Sequence, residues 1–168
     1  MSIVLVRVDQ RLLHGQVVEG WVPFLKADTV VVADDAIAAD PISLIAMNAA
    51  CPSRVKLSVM NLVQAAEAAA GGNMPGKRTL LLVGSVQSLD VIWRGGCRAA
   101  SVNVGNVPGG PGRSRVTPSV ALSKDEVATL DGIAASGATV EARAVPKERG
   151  VDLKGIHKLV DAEGTKPA

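Results

Sequence analysis

Chemistry in this chain concentrates near its start, where I-V-L-V-R-V-D-Q-R-L-L-H-G-Q-V sets one histidine, His14, beside two arginines, Arg7 and Arg11, and an aspartate, Asp9. An imidazole among guanidiniums suits phosphoryl transfer. Its neutral form predominates near pH 7.5, given an ordinary pKa of about 6.5, and its free lone pair can attack phosphorus. The product carries roughly two negative charges, which arginine forks, backbone N–H groups and a helix N-terminus can each accept. A helix dipole contributes only about 0.3–1 kcal/mol at a surface, so Arg7 and Arg11 are the expected neutralising groups. Gly15, with Gln16 after it, lets the backbone approach a phosphate closely. The residues alone are equally compatible with a loop histidine packed by its neighbours and arginines that keep the surface solvated.

The elements that must position these residues follow from periodicity. The β-rich run Ile3–Val8 leads into the apolar-periodic stretch Val17, Val18, Trp21, Val22 and Leu25, so His14 falls at the C-terminal end of a strand, where open α/β sheets bind ligands. Further strands are expected near Thr29–Ala33, Val55–Met60, Thr79–Val83, Ala100–Val104 and Thr139–Ala144. Helices are expected near Gln16–Leu25, Pro41–Cys51, Leu62–Ala70, Val86–Gly95 and Lys124–Ala135, the last with Ser123 and Glu126 as a capping box. The alternation predicts a single α/β domain with a mostly parallel central sheet flanked by helices, spanning 1–162, with 163–168 as a frayed tail.

Composition agrees. Hydrophobic residues make up 48% of the chain, with only Trp21, Phe24 and Trp93 aromatic, which favours buried aliphatic strands under Ala-rich helices. A net charge of +2 from 18 basic and 16 acidic residues gives no support to nucleic-acid binding, and stacking platforms for single strands are missing. Cys51 and Cys97 are isolated, with neither metal-ligand nor redox spacing, so no metal and no cofactor is expected. The N-terminus lacks the pattern of a secretory signal, and no stretch reaches the about 18 apolar residues of a membrane span. A cytoplasmic location is expected.

The motif R-V-D-Q-R-L-L-H-G-Q-V resembles the active-site signature of the IIB component of the mannose/fructose/sorbose family of the bacterial sugar phosphotransferase system. Supporting similarity runs through V-V-V-A-D-D-A-I-A-A-D-P (Val30–Pro41), V-N-V-G-N (Val102–Asn106) and E-A-R-A-V-P (Glu141–Pro146). The resemblance implies that His14 accepts and donates the phosphoryl group through Nδ1, with Arg7, Asp9 and Arg11 forming its loop. It implies a IIA phosphohistidine as donor, a sugar taken up through a IIC/IID permease as acceptor, peripheral association with that permease, and it permits a homodimer. Leu12, Leu13 and Val17 would shield the labile P–N bond from water. The alternative is a regulatory phosphorelay protein with the same histidine chemistry and no sugar transport, and a third reading is a noncatalytic binding module.

Other candidates are weaker. Asp34 and Asp35 follow a strand and could orient the imidazole or pair with the arginines, although Asp is also the ordinary helix cap there. Asp9 could instead form an Asx turn or a structural salt bridge to Arg11. The Gly/Pro-rich stretch G-N-V-P-G-G-P-G-R-S-R departs from the family pattern after V-G-N, which bears on partner specificity. Its Gly105, Asn106, Arg113 and Arg115 could form a flap over the phosphohistidine or a docking loop, or simply a surface loop. Gly71–Arg78 nearly matches a nucleotide-binding loop but lacks the Ser/Thr and precedes a strand, so ATP binding is discarded. His157, in K-G-I-H-K, reads as a surface histidine.

Overall fold

A computed structural model describes residues 2–164. The chain opens with β1 (Ile3–Asp9), continues through a π-helical segment (Gln16–Trp21) into α1 (Val22–Leu25), and then forms β2 (Thr29–Ala33), α2 (Asp35–Ala39), α3 (Pro41–Ala50), β3 (Lys56–Met60) and α4 (Leu62–Ala70). The second half comprises β4 (Thr79–Val83), α5 (Val86–Arg94), β5 (Ser101–Asn106), β6 (Ser114–Thr117), β7 (Val120–Leu122), α6 (Lys124–Ala135), β8 (Thr139–Ala142), β9 (Val151–Asp152) and α7 (Leu153–Gly164). Seven strands form one sheet in the order β3-β2-β4-β1-β5-β8-β9, parallel throughout except for β9, while β6 and β7 make a separate antiparallel hairpin.

Burial on both faces explains the aliphatic strands. Along β4, Leu80 and Leu82 point into one core and Leu81 and Val83 into the other, and β2 repeats this with Val30 and Val32 against Val31 and Ala33. Each such fully buried side chain contributes roughly 1.5–3 kcal/mol relative to exposure. One face is covered by α4, α5, α6 and α7 through Ala65, Leu89, Leu130 and Ile156. The other is covered by the π segment, α1, α2 and α3 through Val17, Trp21, Val22, Ile37 and Met47.

This division places a crevice at the C-terminal end of β1. The chain leaves β1 toward the second face, whereas it leaves both neighbours, β4 and β5, toward the first. Connections that diverge from adjacent strands leave the gap in which open sheets bind ligands.

The expected single-domain α/β architecture is the observed one, with differences of detail. The helix expected over Gln16–Leu25 begins with a π turn, the hairpin β6–β7 and the elements α2, β9 and α7 were not anticipated, and α7 carries helix through Gly164. Glu163 therefore belongs to that helix and accepts a hydrogen bond from the Arg115 amide at 3.0 Å, while 165–168 of the expected frayed tail lie outside the described residues. Among the described residues no helix is long and apolar enough to cross a membrane.

Candidate functional site

Period-two alternation along β1 puts Arg7 and Asp9 on one face, the one covered by the π segment. Both side chains are 0% exposed, so a cation and an anion sit together in a layer that is mostly apolar. Burial of this kind is tolerable only when the charges are paired and each polar nitrogen finds an acceptor. Arg7 meets that condition. Its Nη2 and Nε donate to Asp9 Oδ2 at 2.9 and 3.2 Å, and its Nη1 donates to Asn103 Oδ1 at 2.5 Å and to the Arg143 carbonyl at 3.1 Å. Parallel register supplies Asn103, which lies directly across from Arg7 on β5, and Asn103 Nδ2 donates in turn to the Arg143 carbonyl at 3.2 Å.

Two further residues seal this cluster. The Trp21 ring lies 5.1 Å from the Arg7 guanidinium carbon and its indole N–H donates to the Ala144 carbonyl at 2.9 Å, so the arginine is capped by an aromatic face whose polar atom is satisfied. Gly105 allows the guanidinium to lie against β5, since a Cβ at this position would overlap the Arg7 side chain.

Above this base the chain turns sharply. The Leu12 amide donates to the Asp9 carbonyl at 2.9 Å, and Leu12 takes a left-handed φ of 56°, a conformation that branched side chains reach at a cost of about 1–2 kcal/mol. Leu12 is only 5% exposed and belongs to the same buried cluster as Leu13 and Val17, which fixes the turn. The turn carries His14 back over Asp9, where its Nε2 lies 2.8 Å from Asp9 Oδ2. Asp9 Oδ1 accepts from the Arg11 amide at 2.9 Å.

Electrostatics follow from these contacts. Burial by itself would raise the Asp9 pKa, but the hydrogen bond with His14, the Arg7 and His14 charges and the Arg11 amide outweigh it and hold the carboxyl below the usual range. Burial pulls the Arg7 guanidinium below its ordinary value against the opposing pull of Asp9. An ionised Asp9 can only accept, so His14 carries its proton on Nε2 and leaves the lone pair on Nδ1. Nδ1 is buried and has no hydrogen-bond partner among the described residues.

The other residues singled out from the sequence are distributed less uniformly. Arg11 is exposed beside His14, and Gly15 and Gln16 open the π segment, whose first helical bonds run from the Val17 and Val18 amides to the His14 carbonyl. Arg7, expected at the phosphoryl oxygens, instead lies beneath the site because it pairs with Asp9 and Asn103. Asp34 and Asp35 accept from the Ile37 and Leu62 amides at 2.9 Å, acting as a helix cap and an interhelix tie, and neither bonds to His14, Arg7 or Arg11. Asn106 bonds the Gln10 amide through its carbonyl at 3.0 Å, helping to anchor the site loop. Arg113 turns away to Glu126 on α6, at 2.6 Å, and Arg115 to the Pro118 carbonyl at 2.8 Å, so the glycine-rich loop is latched against α6 rather than closed over His14. His157 pairs with Asp131 on the far helices at 2.7 Å. Sequence reasoning missed Asn103, Trp21 and Arg143; the signal for Asn103 was a lone polar residue within the buried run Val102–Val104.

Similarity to known proteins agrees with this geometry. The sequence profile described as "PTS system sorbose subfamily IIB component" matches residues 3–166. The fructose-specific EIIB component of Bacillus subtilis (strain 168) is 28% identical over 160 residues, 95% of this chain and 98% of that protein. The mannose-specific EIIAB component of Escherichia coli (strain K12) is 28% identical over 156 residues, and this chain spans 48% of it. Among solved structures, manxB from Thermoanaerobacter tengcongensis has a TM-score of 0.84 and 27% identity, covering 93% of this chain and 95% of that one. A seven-stranded α/β sheet with a histidine seated at its switch point, matched by the profile over nearly its whole length, therefore belongs to the sorbose-subfamily IIB components of the sugar phosphotransferase system.

Proposed function

We propose that this chain is a phosphocarrier that receives a phosphoryl group on His14 Nδ1 from a IIA phosphohistidine and passes it to a sugar entering through a IIC/IID permease, with which it associates at the membrane periphery. The observation that supports this reading most directly is the ordered pair His14–Asp9, which fixes the Nε2–H tautomer and leaves Nδ1 as a nucleophile without a competing partner.

In the first transfer, the Nδ1 lone pair attacks phosphorus in line as the bond to the donor nitrogen breaks and returns its electron pair there. Positive charge then develops on the His14 ring, whose Nε2 proton faces the Asp9 carboxylate. Asp9 stabilises this charge in a buried setting where the interaction is strong, and Arg7 keeps Asp9 ionised and in place. In the second transfer a sugar hydroxyl attacks phosphorus, its proton is released, and the pair of the N–P bond returns to Nδ1. Arg11 and the Gly15 and Gln16 backbone are the groups free to meet the phosphoryl oxygens. Nδ1 is enclosed in this conformation, so the loop must open to uncover it for a donor of any size.

The test is phosphotransfer from phosphoenolpyruvate through the general proteins of the system and a matching IIA, comparing wild type with His14→Ala. Acid-labile, base-stable label on the wild type and none on the variant is expected. Equal labelling of both would remove His14 as the site.

A further inference from the structure

The geometry points to Phe24 and the apolar groove beside it as the surface on which the phosphohistidine-bearing donor protein seats itself; this rests on the phosphocarrier reading and names its docking site. In a chain with a single phenylalanine, that ring is 58% exposed. It is also packed against two neighbours. Phe24 meets Trp21 edge-on at 5.9 Å with an interplanar angle of 87°, and the Arg143 guanidinium lies 5.9 Å from its centroid. An exposed ring already packed on two neighbours has less freedom to lose on being covered than a lone surface side chain, which suits it as an anchor.

The groove of about 450 Å³ beside it is lined by Gly15, Gln16, Val145 and Pro146 as well as Phe24. It therefore begins at the residue following His14. Any protein that brings a phosphohistidine to His14 must cover this ground, so an exposed anchor here lies within the contact area of a productive complex.

Charge favours the donor over the acceptor as occupant. Arg11, in the His14 loop, and Lys147, on the groove rim, are exposed and form no ion pair among the described residues, with Glu19 as the acidic group on the same rim. The donor arrives carrying the phosphoryl group while His14 is unmodified and these cations are free to attract it. The acceptor meets the chain only after phosphohistidine has formed and neutralised them. The unmodified state described here thus presents an apolar anchor and free cations together, which fits a donor surface with an apolar patch beside its phosphohistidine.

The experiment compares Phe24→Ala and Phe24→Leu with wild type in two labelling reactions, one with purified phosphorylated IIA and one with phosphoramidate, a small donor that needs no docking surface. Circular dichroism and thermal melts confirm that the exposed position tolerates the change. For Phe24→Ala the KM for the IIA donor should rise about five- to thirty-fold with kcat changed less than two-fold, as truncation of an interface anchor implies. Phe24→Leu should recover at least half of the loss, and phosphoramidate labelling should be unchanged. An unaltered KM, an equal loss with phosphoramidate, or a loss confined to sugar-dependent discharge by permease membranes would each overturn the assignment. Failure of wild type to label from either donor would instead overturn the phosphocarrier reading beneath it.

Discussion

His14 Nε2 lies 2.8 Å from Asp9 Oδ2 and His157 Nε2 lies 2.7 Å from Asp131 Oδ1, so the chain holds two histidine–aspartate pairs of nearly equal length in very different surroundings. Asp9 is fully buried, receives Arg7 and the Arg11 amide as well as His14, and rests on a strand end at the sheet's switch point. Asp131 and His157 bridge α6 and α7 with side chains 44% and 43% exposed. The contact is the same, yet only the first can hold an imidazole in one tautomer, because water competes for both partners of the second. A histidine–aspartate distance thus says little about chemistry until the aspartate's other bonds are counted.

Replacing each histidine should break the comparison most sharply. His14→Ala is expected to abolish labelling by the donor system to the detection limit, while His157→Ala labels at the wild-type rate, read by radiolabel incorporation over time. The aspartates come next. Asp9→Asn removes the fixed tautomer and should slow labelling by about 10²–10⁴-fold. It also strands a buried guanidinium, so denaturant melts should show a loss of roughly 3–5 kcal/mol. Asp131→Asn should change the labelling rate less than two-fold and leave stability within about 0.5 kcal/mol.

Glycines at the two sites sharpen the contrast further. Gly105→Ala forces Arg7 off Asp9 and should cost about 1–3 kcal/mol together with a measurable fall in labelling rate. Gly132→Ala, inside α6 one residue from Asp131 with nothing within 4 Å of the new Cβ, should stabilise by about 0.5–1 kcal/mol without affecting labelling. The smallest effect is in pH dependence. Because the folded Asp9 pKa is depressed, its contribution to stability is fully present above the unfolded value of about 3.9 and is lost as pH falls through the lower folded value. Wild type should therefore lose stability more steeply than Asp9→Asn as pH falls below about 4.

Much of this was legible in the chain. The β-branched runs marked the parallel strands because a sheet covered on both faces needs aliphatic residues at most positions, and the signature around His14 marked the candidate site. What the sequence did not disclose was tertiary. Arg7 and Arg11 look alike beside a histidine, but Arg7 belongs to a buried strand and shares a face with Asp9, and its contact with Asn103 depends on a strand pairing nearly a hundred residues away in sequence. Asp34 and Asp35 sit at a strand end near the site edge and were absorbed by amide groups of α2 and α4. The helix α7 escaped notice because Gly155 and the surrounding charges mask its pattern, although Asp152 bonding the Gly155 amide, followed by Leu153, Ile156 and Val160, is the start of an amphipathic helix. The hairpin β6–β7 is too short, and too interrupted by Pro118, for alternation to reveal it.

The ¹⁵N NMR spectrum of the phosphorylated protein, labelled at histidine nitrogens, shows directly which ring nitrogen carries the phosphoryl group. One phosphohistidine is expected, at His14, with phosphorus coupled to Nδ1 and a proton retained on Nε2 against Asp9. Coupling of phosphorus to Nε2, or a phosphohistidine at His157, would contradict it.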